Sequence, residues 1–239
     1  MLQEQSYKLA QCDGFSIWRV GVDRAEDVTR FVHGVYHERF AAHPDWDGPS
    51  ELDKMLRDDL GTLPYSAIIS AFDEAGRALA TVRVIRKVPF RPLPTERDFG
   101  LDFSEIARKR GLEVHELFEI ARFAKSDRAI VAAGLDERAG HQAVDRVLEQ
   151  AVRATAYDPQ NAWCASIDNV VLQLLRKKGF VFDAVAPSTV YLGSDTTPAL
   201  LPVSVWAAHQ KAKRGSVATA ARKRAQARRP TGLAAVGSL

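Results

Sequence analysis

Between residues 114 and 166 the hydrophobic period of the chain changes twice, and this limits the possible folds more than any other feature. Val114 to Phe123 alternates as a strand does, with different chemistry on its odd and even positions. Glu137 to Thr155 then collects Ala143, Val144, Val147, Leu148, Ala151 and Val152 on one helical face, and Ala162 to Ser166 returns to a short apolar run. A strand, a long amphipathic helix and a second strand form a crossover, which demands mixed α and β structure in one packed unit.

The flanking segments extend this pattern. Arg24 to Arg39 and Ser50 to Leu60 have helical periodicity, the second opened by Pro49-Ser50. Ser66 to Phe72 and Ala78 to Arg86 alternate as strands around Asp73-Glu74-Ala75-Gly76, which predicts an antiparallel hairpin. A connection with Pro89, Pro92 and Pro94 leads to a polar helix at Phe103 to Lys109. Downstream, Val170 to Lys177 is a short helix capped by Gly179, followed by strands at Phe180 to Val185 and Thr189 to Leu192.

With 239 residues, 46% of them hydrophobic, the chain can bury one sizeable core. We expect that core within residues 1–206. From 207 onward the sequence is rich in Ala, Arg, Lys, Gly and Ser and carries Lys211, Lys213, Arg214, Arg222, Lys223, Arg224, Arg228 and Arg229 without an acidic residue, which predicts an unstructured basic tail over 207–239. Such a tail attracts acidic proteins and anionic membrane surfaces; nucleic acid is the least expected partner, and solubilising the chain is the ordinary role. Cys12 and Cys164 are far apart with no metal-ligand spacing, so neither a metal site nor a disulfide framework is expected. The amino-terminal stretch lacks a secretory pattern and no apolar run approaches a membrane span, which predicts a cytoplasmic protein whose tail can reach the inner face of the membrane.

Four short pieces, in order, resemble one group of enzymes. They are Tyr36-His37-Glu38-Arg39-Phe40 followed by Trp46; the acidic set Glu51, Asp53 and Asp58; Arg83 in the strand after the hairpin turn; and Phe118-Glu119-Ile120-Ala121-Arg122-Phe123. They resemble acyl-homoserine-lactone synthases and the related N-acyl amino acid synthases, and the stretch Asp168 to Phe180 with its Lys-x-Gly-Phe turn resembles the closing helix and strand of Gcn5-related acyltransferases, so that the pieces together cover roughly residues 28–185. Both kinds of synthase belong to the Gcn5-related N-acetyltransferase (GNAT) superfamily. The resemblance implies an α/β (α+β) fold with a mixed central sheet flanked by helices, and an acyltransferase with no permanently bound cofactor. Its donor would be an acyl chain on the phosphopantetheine of acyl carrier protein, or acyl-CoA, and its acceptor the amine of an amino acid or similar small molecule. Two departures stand out: Ala121 replaces the usual serine, and Val32 occupies the place of an arginine near the adenosylmethionine pocket of lactone synthases. The second favours N-acyl amino acid synthesis over lactone synthesis from S-adenosylmethionine. A catalytically silent acyl-binding module is the alternative outside enzymology.

Within the resemblance, Glu119 is the expected base and Arg122 its partner, fixing an acceptor carboxylate or organising Asp53. Asp53, Arg83, Trp46 and Tyr36 are the expected acceptor-binding residues, and Phe123, Ala124 and Ser166 are expected along the donor cleft. The competing structural readings are an ion pair of Glu119 with Arg83 or Arg122, a solvated Asp53, and core roles for Phe31, Tyr36, Phe40 and Trp46. Positions 119 and 122 face opposite sides of a regular strand, so a shared role requires a bulge between them. Where a coenzyme A enzyme has a glycine-rich diphosphate loop, this chain reads Asp136-Glu137-Arg138-Ala139-Gly140-His141, which suits a carrier-protein donor. An acidic carrier would dock on Arg83, Arg86, Lys87, Arg91 and Arg97, or on Arg176, Lys177 and Lys178.

Overall fold

The computed structural model describes residues 3–44 and 46–212. Strands β1 (Tyr7–Gln11) and β2 (Phe15–Val20) precede helices α1 (Val22–Phe40) and α2 (Gly48–Thr62), then β3 (Ser66–Asp73) and β4 (Ala78–Arg86). Two short helices, α3 (Pro94–Phe99) and α4 (Phe103–Lys109), lead to β5 (Leu117–Lys125), α5 (Asp127–Ala132), α6 (Glu137–Thr155) and β6 (Ala162–Asp168). The chain continues with α7 (Asn169–Lys177), β7 (Asp183–Ala184), β8 (Thr189–Tyr191) and β9 (Ser194–Pro202). A last helix, α8, covers residues 203–212.

The strands form one sheet in the order β1-β2-β3-β4-β5-β6-β9-β7, with β8 paired to β9. Every pairing is antiparallel except β5 with β6, the two strands joined through α6. The sheet separates two apolar layers. On one face α6 inserts Ala143, Val144, Val147, Leu148 and Ala151 against Val82, Val84, Phe118, Trp163 and Leu201. On the other, Ile85, Leu117, Ala162, Cys164 and Leu200 pack with Leu93, Phe103 and Ala107 from the α3–α4 segment.

The hairpin and the crossover form where the hydrophobic period places them. Beta strand β5 starts three residues later than alternation predicts, because His115 donates its backbone N–H to Gln160 before the β4 ladder begins at Phe118. The segment Phe180 to Val185 contributes only two paired residues, and β9 provides the long strand beside β6 instead. Helix α8 carries the chain six residues past the expected boundary at 206, with Trp206 packed edge-on to Trp163 and stacked on Phe180. The rest of the expected basic tail lies outside the described residues.

Gly179 ends α7 at φ +93°, where the N–H of Phe180 returns to the carbonyl of Leu175. A Cβ there would lie 2.5 Å from the Gln210 side-chain nitrogen of α8. Gly179→Ala is therefore expected to lower the unfolding free energy by about 1–2 kcal/mol, the usual cost of a left-handed residue with a Cβ, as a shift of the urea midpoint at constant slope.

Candidate active site

The site is built on a bulge in β5. Arg83 pairs with Ala121 and Thr81 with Ala124, so two steps along β4 match three along β5. The extra residue is taken up at Arg122, which has φ +51°. Phe123 and Ile120 consequently pack toward the α6 layer, whereas Ala124 is buried against Val32 of α1 and Met55 of α2. The bulge also turns Arg122 toward α2, so it and Glu119 both serve the helical layer opposite α6.

Just beyond Glu119 the sheet opens. Strands β5 and β6 pair only over Leu117–Glu119 and Ala162–Cys164, although both continue for several residues. The facing edges past this point carry no ladder between them, and Phe123, Ala124 and Ser166 lie on the two strands flanking the gap.

Glu119 is 3% exposed at the apex of this gap. Its Oε2 accepts from the backbone N–H of Thr95 at 3.1 Å and its Oε1 from the Thr95 hydroxyl at 2.9 Å, while that hydroxyl also lies 3.1 Å from Ser166 Oγ. Burial pushes the carboxyl up to about 7, against the opposing pull of the two Thr95 hydrogen bonds and of Arg122. Glu119 thus pairs with neither Arg83 nor Arg122 as an ion pair; Thr95 holds it.

Thr95 is positioned because α3 is fixed at both ends. Pro94 opens the helix, and Glu96 accepts from the N–H groups of Leu93 and Phe103, each at 2.9 Å, while Lys87 pairs with the same carboxylate. Arg97 grips Asp58 of α2 through two 2.8 Å bonds, and Asp98 accepts from Arg97 and from the Tyr191 hydroxyl of β8. Burial together with the hydrogen bond to Asp98 raises the Tyr191 hydroxyl well above its ordinary range.

A second buried network is centred on Asp59 of α2. Asp59 accepts from Thr29 Oγ1 at 2.7 Å and from Arg122 Nε at 3.0 Å, and Arg83 Nη1 stands 2.9 Å from its Oδ1. Arg83 also donates through Nη2 to the Asp59 carbonyl, Thr62 Oγ1 and Ser66 Oγ. At 1% exposure it is driven down to about 10 by burial, still charged at neutral pH, and cannot touch a docked protein or a substrate itself. One carboxylate therefore serves two guanidinium groups. Arg122 uses Nε for this bond, and its Nη groups make no hydrogen bond among the described residues.

Tyr36 joins this region, packing with Val32, Met55 and Ala124, and its hydroxyl is raised chiefly by burial, with Arg122 opposing. Trp46 sits apart, its ring 5.7 Å from that of His33 and its Nε1 donating to His37 Nδ1 at 3.0 Å. Asp53 is exposed. The carboxylate that organises Arg122 is Asp59, since Met55, Asp59 and Thr62 share the buried stripe of α2. Of the two basic sets, Arg86 and Lys87 are spent partly on Glu116, Glu96 and Asp102, whereas Arg176 and Lys177 are exposed at the end of α7. A cleft of about 430 Å³ under α4, lined by Phe103, Ala107, Leu112 and Leu117, reaches neither Glu119 nor Ser166.

No protein-family model and no curated protein sequence matches the chain. Solved structures do. FeeM, an N-acyl amino acid synthase from uncultured soil microbes, superposes with a TM-score of 0.53 at 15% identity, over 85% of this chain and 93% of FeeM. TofI, solved in a ternary complex with an inhibitor and MTA, gives 0.48 at 15% identity over 86% of this chain and 96% of its own. An acetyltransferase of the GNAT family from Staphylococcus aureus Mu50 gives 0.44 at 10% over 79% and 99%. The splayed β5–β6 pair, the bulge at Arg122 and the superposition on FeeM place this chain in the Gcn5-related N-acetyltransferase fold.

Proposed function

We propose that the chain is an N-acyltransferase that moves a medium or long acyl group from the phosphopantetheine thioester of an acyl carrier protein to the amine of an amino acid. The observation that carries this reading is a buried carboxyl, poised near neutrality at the apex of the β5–β6 gap, with the Nη groups of Arg122, unengaged among the described residues, on the same side of the sheet. In this reading the thioester lies along the gap and unpaired backbone N–H groups of β5 receive its oxygen. Arg122 takes the acceptor carboxylate through its two Nη groups, and Glu119 receives the proton that the ammonium must lose. The amine then attacks the carbonyl carbon, the C–S bond breaks, and the sulfur leaves with the second amine proton as a thiol. An amino acid acceptor is favoured over adenosylmethionine because Val32 is buried against Met55 and Ala124, leaving no cation at that position.

The start of α6 supports a carrier-protein donor. Asp136 accepts the N–H of Ala139 at 2.8 Å, and Glu137 follows in the first turn, so negative charge already occupies the helix terminus. At Gly140 a Cβ would lie 2.7 Å from Ile130 of α5, which makes this glycine a packing residue. With octanoyl carrier protein and octanoyl-CoA compared in the same assay, we expect kcat/KM to favour the carrier protein by at least about tenfold, the cost of roughly one uncompensated charge contact. Equal use would refute the assignment of donor. Mass spectrometry of lipid extracts from bacteria expressing the chain tests the whole reading: a new N-acyl amino acid supports it, and a new acyl lactone replaces it.

A further inference from the structure

Glu119 is sealed from the gap it is meant to serve. It and Thr95 are 3% and 2% exposed, whereas Ser166, on β6 beyond the last β5–β6 pair, retains open surface. Thr95 Oγ1 carries one hydrogen. In the 3.1 Å contact Thr95 is placed to donate to Ser166, the arrangement for protonated Glu119; with Glu119 ionised that single hydrogen goes to Oε1 at 2.9 Å, and the Ser166 hydroxyl must turn to donate to Thr95 instead. With Glu119 protonated, both bonds reverse. The three groups are thus a chain with two ordered states.

We propose that protons reach Glu119 through the hydroxyls of Ser166 and Thr95, with Ser166 as the group that meets the acceptor amine. The proposal rests on the N-acyltransferase reading. In the step, the ammonium gives a proton to Ser166 Oγ as Ser166 passes its own to Thr95 Oγ1 and Thr95 passes its own to Glu119 Oε1. The amine is left neutral, both hydroxyls are restored and the carboxylate has become the acid. After the amide forms, Glu119 returns its proton outward by the same route. The backbone N–H of Thr95, bonded to Oε2 at 3.1 Å, takes no part in the transfer and fixes the carboxyl plane. Ser166 is the catalytic residue; Thr95 relays and positions.

The probe reaction is thiol release from decanoyl carrier protein in a mixture of the protein amino acids, followed against pH for the full chain. Ser166→Ala is expected to lower kcat about 10- to 100-fold with its acid limb still near pH 7, because Ser166 does not touch the carboxyl. Thr95→Val removes a hydrogen bond that favours the ionised form, so its kcat falls similarly and its limb moves to higher pH. Thr95→Ser and Ser166→Thr, which keep the hydroxyls, are expected to stay within about threefold of wild type. The carboxyl carbon signal of Glu119 in a carbon-13 NMR titration should shift its midpoint in Thr95→Val and hold it in Ser166→Ala. A Ser166→Ala chain with wild-type kcat, or one losing only affinity or stability, overturns the relay. Wild-type thiol release that survives Glu119→Gln, or no release by the wild-type chain at all, overturns the transferase reading beneath it.

Discussion

Glu119→Gln is expected to lower acyl transfer by about 10²- to 10⁴-fold and to leave the protein more stable than wild type at pH 8. The two effects have one cause. A carboxyl at 3% exposure is displaced from its ordinary 4.5 to about 7, first by burial and against the Thr95 hydrogen bonds. At neutral pH this gives a base that is substantially ionised yet strong enough to accept a proton from an ammonium group. The same displacement opposes folding. Between pH 4.5 and 7 the unfolded chain gives up this proton while the folded chain keeps it, so stability falls as pH rises through that window. The full loss above it is about 3 kcal/mol, at 1.36 kcal/mol for each tenfold change in proton affinity.

A glutamine has no such dependence. Its carbonyl can accept the Thr95 N–H and its amide can donate to the Thr95 hydroxyl, so the site stays satisfied without a charge. Melting temperatures of the two proteins should therefore coincide near pH 4.5 and diverge through pH 7, with the variant higher by about 6–12 °C at pH 8 on the scaling for a domain of this size. Wild-type kcat/KM should rise through the same interval and level off above about pH 7. A variant that is less stable than wild type at pH 8 would show that Glu119 is held ionised by a stabilising partner, and that the carboxyl is not the poised base.

How much of this arrangement the sequence could disclose depended on the range of the interactions involved. Hairpin strand β4 and helix α6 were legible at their observed limits because period and turn residues act locally. The need for a bulge also followed from residues alone: a carboxylate and a guanidinium three apart cannot share a face of a regular strand, and the extra residue lies at Arg122. Strand β9 was hidden by Pro198 and Pro202, which in sequence argue against a strand with neighbours on both sides, although Pro198 stands opposite Ser166. In α2 the acidic residues were visible as a cluster, but the buried one is Asp59, set by the stripe through Met55 and Thr62 that only contact with α1 and β5 defines. Thr95 gave no signal at all. It lies in a six-residue helix after three prolines, and its partner Glu119 is 24 residues away. Arg83, a surface cation by composition, faces inward because its strand alternates in register with β5.

Asp59→Asn is expected to destabilise the protein by about 3–5 kcal/mol, the range found when one partner of a buried ion pair is removed. Asp59 is the only carboxylate bonded to either Arg83 or Arg122 among the described residues, and it receives Thr29 on its other oxygen. The neutral acceptors of Arg83, namely Thr62 Oγ1, Ser66 Oγ and the carbonyl of residue 59, survive the substitution. What is lost is the charge: an asparagine can keep its amide oxygen toward the two guanidinium groups, because both face Oδ1, and its amide nitrogen then faces the Thr29 hydroxyl, which must turn to accept it. Urea unfolding should show the loss as a lowered midpoint with an unchanged slope. The double variant Arg83→Met with Asp59→Leu is expected to recover only part of the loss, because Arg122 keeps its charge beside an apolar residue 59. It is expected to fail in acyl transfer whatever stability it recovers, since Arg122 then has no carboxylate to fix its Nε and aim its Nη groups. A single Asp59→Asn costing under about 1 kcal/mol would mean that water, not Asp59, neutralises the two arginines.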